Sequence, residues 1–211
     1  MHAATALFIW TCLGVTVLAS QHREPCQSPN LTGILSVMSF KGEHKGTGHY
    51  TYDHEVNKLR LTMNETHNVN NTLNVDLLML FEEGVFYEID IKNQSCAKKS
   101  LLAASHVLEL PHNAKFTGNF VLGSASMPGE GVNINVWSGV VPVEKGHYIV
   151  STSADHCLPL SAVFFSDSTS LIFSNMQIET EIKEPELFLL PALCEGTELE
   201  GTLDSFYALF D

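Results

Sequence analysis

The chain has 211 residues, 24 acidic against 11 basic side chains, a formal net charge of −13 and a sequence pI near 5.1. That balance disfavours nucleic acid, whose binding needs a basic stripe to displace counterions, while it suits solubility and attracts divalent cations. The carboxylates read first as a solvated face rather than a dedicated metal site.

Ala3 to Leu18 is an apolar run of signal-peptide length ending in the small residues of Val17-Leu18-Ala19-Ser20. It predicts a leader over 1–20, a single domain over 21–211, and secretion to the extracellular space. The remainder holds no second apolar run of about 18 residues, so no transmembrane segment is expected. Cys12 falls in the leader, leaving Cys26, Cys96, Cys157 and Cys194. An even set without a CxxC in a secreted chain predicts a disulfide framework, but four cysteines allow three pairings and the spacing does not choose among them. Asn30, Asn64, Asn70 and Asn93 each begin an N-x-S/T acceptor for N-glycosylation.

In chain order, Gly33 to Phe40 alternates as a strand, KGEHKGTGH reads as a Gly-rich turn, and Tyr50 to Met63 holds two short strands around Asp53 to Asn57. Met63 to Thr72 is polar and predicts a glycosylated loop. Asn74 to Phe81 and Val85 to Ile91, separated by Glu82-Glu83-Gly84, form a hairpin. Leu101 to Leu110 reads as a strand or one or two helical turns, ended by Pro111. Phe116 to Leu122, Val132 to Trp137, Lys145 to Thr152, Leu158 to Phe165 and Thr169 to Ile182 continue the strands, with Trp137 at a strand end. Only Glu186 to Leu190 and Asp204 to Phe210 look helical. Many short strands with frequent turns predict an all-β, mainly antiparallel fold: a two-sheet sandwich or half-open barrel with a hydrophobic cleft and few short helices.

Ten histidines invite a search for metal or catalytic spacings. His54-Glu55 begins like a zincin but lacks the second His, and there is no H-x-H, G-x-S-x-G, P-loop, dinucleotide fingerprint or EF-hand loop. The sequence therefore predicts no catalytic residues and no enzyme, with a secreted hydrolase as an outside alternative because a triad needs no local motif. The hairpin is more informative. Leu77 to Leu80 with Val85, Phe86 and Tyr87 place large apolar side chains on both faces, and both must be buried against something. That something is either a larger core or a dimer interface, or else a ligand cleft. On the latter reading Leu78, Leu80, Val85, Tyr87, Ile89, Ile134, Val136 and Tyr148 are expected to line one apolar cavity for a hydrophobic molecule or lipid, with the Tyr87 hydroxyl orienting a head group.

FEEGVFYEID followed by an Asn sequon and Cys96 resembles the central signature of the ependymins, secreted glycoproteins of the brain extracellular fluid of bony fishes. REPC at Arg23 to Cys26, CLPL at Cys157 to Leu160, MQIETEI leading to LFLLPALCEG, and the closing FYALFD agree in order and spacing. The resemblance implies Cys26 joined to Cys157 and Cys96 to Cys194. It also implies a two-sheet fold with a deep apolar pocket, and a calcium-binding glycoprotein linked to cell-matrix adhesion, neural plasticity or axon regeneration. Ependymins are described as disulfide-linked dimers. With every mature cysteine used internally, a homodimer held by non-covalent contacts is the expectation here. The calcium ligands are not named by any loop motif. Weak binding through surface carboxylates and sialic acids on the Asn70 and Asn93 glycans is expected, at roughly 10⁻⁴ to 10⁻³ M, enough for extracellular calcium. A purely structural or adhesive matrix glycoprotein is the alternative.

Overall fold

The structure is a computed structural model that describes residues 23–67, 71–102, 106–203 and 205–210; the expected leader over 1–20 and Asn70 lie outside these residues. Twelve strands are present: β1 (Leu31–Ser39), β2 (His44–Asp53), β3 (Lys58–His67), β4 (Asn71–Leu80), β5 (Val85–Asp90), β6 (Ser95–Leu101), β7 (Lys115–Gly123), β8 (Gly131–Val141), β9 (Gly146–Ser153), β10 (Pro159–Phe165), β11 (Ser170–Glu179) and β12 (Leu199–Leu203). They make one sheet in the order β12-β6-β5-β4-β3-β2-β1-β11-β10-β9-β8-β7. Two meanders, β1 to β6 and β7 to β11, are joined where β1 pairs antiparallel with β11. Among the described residues only the β12–β6 pair is parallel. The outermost strands, β7 and β12, do not pair with each other, so the sheet is an unclosed half-barrel, and of the two expected architectures this is the one adopted.

The sheet curls around its core. Inward side chains from β1 to β5 and from β8 to β11 belong to one buried cluster, including Leu35, Tyr50, Tyr52, Leu61, Met79, Phe86, Trp137, Tyr148, Phe164 and Phe173. The closing FYALF forms a 3₁₀ turn, Phe206–Phe210, that enters the concavity. Phe164 of β10 stacks on Tyr207, Phe173 of β11 meets Phe206, and Phe206 meets His106, which stacks on Phe81 beyond β4. Aromatic side chains thus bridge the two halves of the sheet. Bulges in the β1–β11 and β1–β2 registers increase local twist, which helps curling. Gly48 lets β2 and β3 come close at the tightest point: a Cβ there would lie 2.1 Å from the Thr62 carbonyl oxygen.

Two disulfides tie distant segments to this frame. Cys26 and Cys157 are joined with Cα atoms 5.9 Å apart, and Cys96 and Cys194 with Cα atoms 5.2 Å apart. The first fastens the N-terminal segment beside β8 and β9, where Arg23 donates to Asn135 Oδ1 at 3.0 Å and lies over the Phe116 ring. The second ends a strap.

The strap explains the apolar second face of the hairpin. After β11 the chain crosses the convex side of β1 to β6 through short 3₁₀ turns at Pro185–Phe188 and Ala192–Cys194 before entering β12. Leu78, Tyr87, Ile89 and Cys194 form a small buried cluster there, flanked by Leu80, Val85, Cys96, Phe188 and Leu193. Leu78 and Leu80 of β4 face the strap while Leu77 and Met79 face the core, so both faces of the strand are dry there.

Several local expectations need correcting. His44 to His49 is strand rather than turn, and β3 and β4 run through much of the polar Asn64 to Thr72 stretch as a long hairpin. Backbone pairing between these strands overrides their poor apolar content. Residues 106–110 are neither strand nor helix, yet Val107, Leu108 and Leu110 are buried. Trp137 sits within β8, not at its end, and donates from Nε1 to Thr152 Oγ1 at 3.2 Å.

Candidate ligand-binding site

The eight residues expected to line one cavity are distributed over three places. Leu78, Leu80, Val85, Tyr87 and Ile89 come together, but as packing beneath the strap. Ile134 and Val136 point outward from β8, seven strand positions from β4 in the sheet order. Tyr148 points inward and belongs to the main core, its hydroxyl 3.5 Å from Asn113 Oδ1 and its ionisation pushed up to about 12 by burial. The structure does not bring these eight into a single cavity. The physical reasons are distance and parity: Ile134 and Val136 share the outward face with Leu78 but lie seven strands away, and Tyr148 falls on the opposite face of the curved sheet.

A cleft of about 590 Å³ lies instead on the convex side, between the start of the strap and β1 to β3. Alternation in these strands sets its floor. Leu31, Leu35 and Val37 go to the core, which turns Thr32 and Ile34 outward; Tyr50 and Tyr52 likewise turn His49 and Thr51 outward, and Leu59 and Leu61 turn Arg60 and Thr62 outward. The roof comes from Lys183, Glu184 and Leu187, and Gln177 and Glu179 of β11 make the side wall. Thr32 Oγ1 donates to the Glu181 carbonyl at 3.3 Å, fixing where the strap leaves the sheet. Lys183 bonds Glu179 at the rim, and that carboxylate raises the Lys183 pKa.

The charges in the cleft are mostly balanced. Arg60 Nη2 lies 2.7 Å from Asp76 Oδ2, with both side chains less than one-fifth exposed. Thr62 Oγ1 leans on the same carboxylate at 3.5 Å. Tyr50 also borders the cleft; burial raises its phenol well above the ordinary value, and its hydroxyl has no hydrogen-bond partner among the described residues. The space it occupies exists because residue 33 is glycine, whose Cβ would sit 3.0 Å from that hydroxyl. Ile34 below and Leu187 above are apolar, while Thr32, Thr51, Thr62 and His49 offer hydroxyl and imidazole groups. The arrangement suits a molecule with an apolar body and a hydrogen-bonding end. Sequence reading missed this site because its roof belongs to the segment after β11, where Glu186 to Leu190 reads as helical and nothing in that reading says which strands the segment covers.

The glycosylation candidates separate by exposure. Asn93 is exposed on the β5–β6 turn, where its backbone N–H and Nδ2 donate to Asp90 at 2.9 and 2.6 Å; these bonds lower the Asp90 pKa. Asn30 is half-buried and its Oδ1 accepts the His54 N–H at 2.8 Å. Asn64 lies in β3, paired with Thr47 of β2. Among the described residues no three His, Cys, Asp or Glu side chains form a metal-ligating group, and no helix is long and apolar enough to cross a membrane.

A disulfide-tied, unclosed β half-barrel with a strapped convex face is the class these observations define. The ependymin family profile matches residues 69–194. The chain is 50% identical to the ependymin of Esox lucius, covering 99% of this chain and 97% of that one. It is 38% identical to ependymin-2 of Carassius auratus, covering 100% and 99%, and 22% identical to mammalian ependymin-related protein 1 of Mus musculus, covering 94% and 89%. The chain belongs to the ependymin family. Among solved structures it is similar to MucB, with a TM-score of 0.40 and 11% identity over 78% of this chain and 58% of that one. It is also similar to LprF from Mycobacterium bovis, with a TM-score of 0.36 and 8% identity over 74% and 89%.

Proposed function

We propose that this chain is a secreted, N-glycosylated binding protein of the extracellular space, which holds a small amphipathic, lipid-like molecule under its strap and works as a homodimer at the cell matrix. The observation that carries the ligand reading is the cleft. Its volume of about 590 Å³ falls within the range of roughly 300 to 1,000 Å³ typical of small-molecule sites. Ile34 and Leu187 line it as apolar groups, and Thr51, Thr62 and His49 line it with groups that can hydrogen-bond a polar end. Native mass spectrometry of protein secreted from cells, followed by solvent extraction, should reveal a stoichiometric lipid-like molecule. Leu187→Glu should abolish uptake of a fluorescent fatty-acid probe by the secreted protein. Normal probe affinity in that variant would overturn the assignment.

Calcium binding in this reading is weak and comes from dispersed carboxylates together with sialic acids on the Asn70 and Asn93 glycans. The support is the net charge of −13. Titration calorimetry before and after enzymatic removal of the sugars tests it: affinity should fall with the glycans, and an unchanged value would place calcium on protein oxygens alone.

A further inference from the structure

The two outer strands of the sheet are finished differently. β12 has five residues, carries Glu200, follows Glu198 and is broken by a bulge against β6. Shortness, charge and irregularity are the devices by which natural sheets keep other chains off an open edge. β7 has nine residues, with Lys115 at its first position as the one charge in the strand, and from Phe116 to Gly129 the chain carries no charged side chain. Among the described residues no strand pairs with the outer side of β7. A nine-residue strand paired on one side only turns alternate N–H and C=O groups outward over roughly 30 Å.

The side chains beside that edge are apolar as well. Phe120, Val121 and Leu122 are 54%, 41% and 58% exposed. Register sets Phe120 opposite Ile134 and Leu122 opposite Val132 on the outward face, and alternation turns Val121 to the other face. Cover is therefore wanted on both sides of one strand and along its edge at once. A flat surface packed on the outward face reaches Phe120 and Leu122 but leaves Val121 and the main chain wet. A lipid layer covers the side chains, yet its apolar depth offers the open main chain neither donors nor acceptors. An added strand meets all three needs, because its main chain pairs with the edge while its side chains extend both faces.

The rest of the hairpin holds β7 as a stiff template. Phe116 meets Trp137 edge-on with centroids 5.2 Å apart, and Asn119 Nδ2 donates to the Ile134 carbonyl and to Asn135 Oδ1, both at 3.1 Å. A strand already fixed in its extended form costs little to order on binding. Charge narrows the partner: a chain of net charge −13 opposes an acidic segment and favours an uncharged or basic one. A second copy brings the same net charge to an edge where Lys115 alone offsets it.

We infer that the outer edge of β7 is a docking site for an extended segment of another protein, uncharged or basic, which joins the sheet as an added strand with apolar side chains beside Phe120 and Leu122. The inference is independent of the ligand cleft, which lies over β1 to β3.

A fluorescein-labelled peptide copying β8, GVNINVWSGVV, with two lysines at each end is the probe, because β8 already pairs with β7 along most of its length. Fluorescence anisotropy with the secreted protein should give saturable binding, and amide exchange should slow at alternate residues of β7 while β8 is unchanged. Phe120→Ser with Leu122→Ser, a charge-neutral change at exposed positions, should weaken binding at least 10-fold and keep the circular dichroism spectrum. Val56→Ser, at an exposed turn position, should leave binding as it is. The same peptide with methylated backbone nitrogens should not bind, since it can no longer donate to the edge. No saturable binding, equal binding of the methylated peptide, or protection that appears away from β7 would each overturn the inference. Exchange at β7 that slows with protein concentration, in the absence of peptide, would overturn it too and assign the edge to a second copy.

Discussion

The imidazole of His106 lies flat on the ring of Phe81, centroids 4.3 Å apart and planes inclined by 22°. Tyr52 closes the box edge-on at 4.8 Å, and Nδ1 accepts the Leu108 N–H at 3.3 Å. Nε2 sits 3.8 Å from Glu109 Oε2, too far for a hydrogen bond. Full burial pulls the His106 pKa down to about 3, so the ring stays neutral in the folded protein.

Acid lability follows. The unfolded chain takes up a proton at this histidine near pH 6.5, whereas the folded chain does not until about pH 3. Between those values the unfolded state binds more protons, so stability falls as pH falls, by at most about 1.4 kcal/mol per pH unit from this group. Above pH 6.5 the effect vanishes. Urea midpoints at pH 7.5, 6 and 5 should drop steadily, and His106→Phe should flatten the part of that slope below pH 6.5. Identical slopes in both proteins would refute this role.

Loss of the strap's anchor should uncover apolar surface. Cys96 and Cys194 are 98 residues apart, so the chain-entropy account values their bond at about 4 to 5 kcal/mol, with measured values often lower. Replacing both by Ser should lower thermal stability and raise binding of an apolar dye, because Leu78, Tyr87 and Ile89 lose the cover of Phe188 and Leu193. Dye binding at the level of the unaltered protein would show that the strap stays docked without its disulfide.

Gly48→Ala is expected to cost about 2 kcal/mol or more, since the added methyl meets backbone rather than a movable side chain. Ser36→Ala, outward on the neighbouring strand, should cost under about 0.5 kcal/mol. Chemical denaturation of the two variants gives the comparison, and equal midpoints would mean that β2 and β3 separate easily.

For the Arg60–Asp76 pair, 2.7 Å apart and largely shielded, removing one partner should hurt more than removing both. Asp76→Ala strands a cation in the cleft and should cost about 1 to 3 kcal/mol, while Arg60→Met with Asp76→Leu should recover most of it. A double variant as unstable as the single one would show that the carboxylate's tie to Thr62 matters more than the pair itself.

The sequence by itself determined most of the strands, though not β6, β12 or the start of β2, together with the use of Cys26, Cys96, Cys157 and Cys194 and the family. Alternation in Val85 to Asp90 and in β8 to β11 is a local property, visible wherever one face of a strand is apolar and the other not. The ordered cysteine motifs carry family membership because several must agree at once. What covers each face was decided only in three dimensions. The hairpin's double apolarity was readable, but Leu78 and Tyr87 pack under Phe188 and Leu193, more than 100 residues later in the chain, and nothing local to either segment says so. The single curled sheet likewise depends on one pairing, β1 with β11, between the first and the last of the antiparallel strands. Sheet register of that range is set by global packing, since closing so long a loop costs little more than closing a short one and leaves no mark on the residues in between. The cleft was hidden for the same reason: it consists of side chains from strands far apart in sequence, and only the fold makes them neighbours.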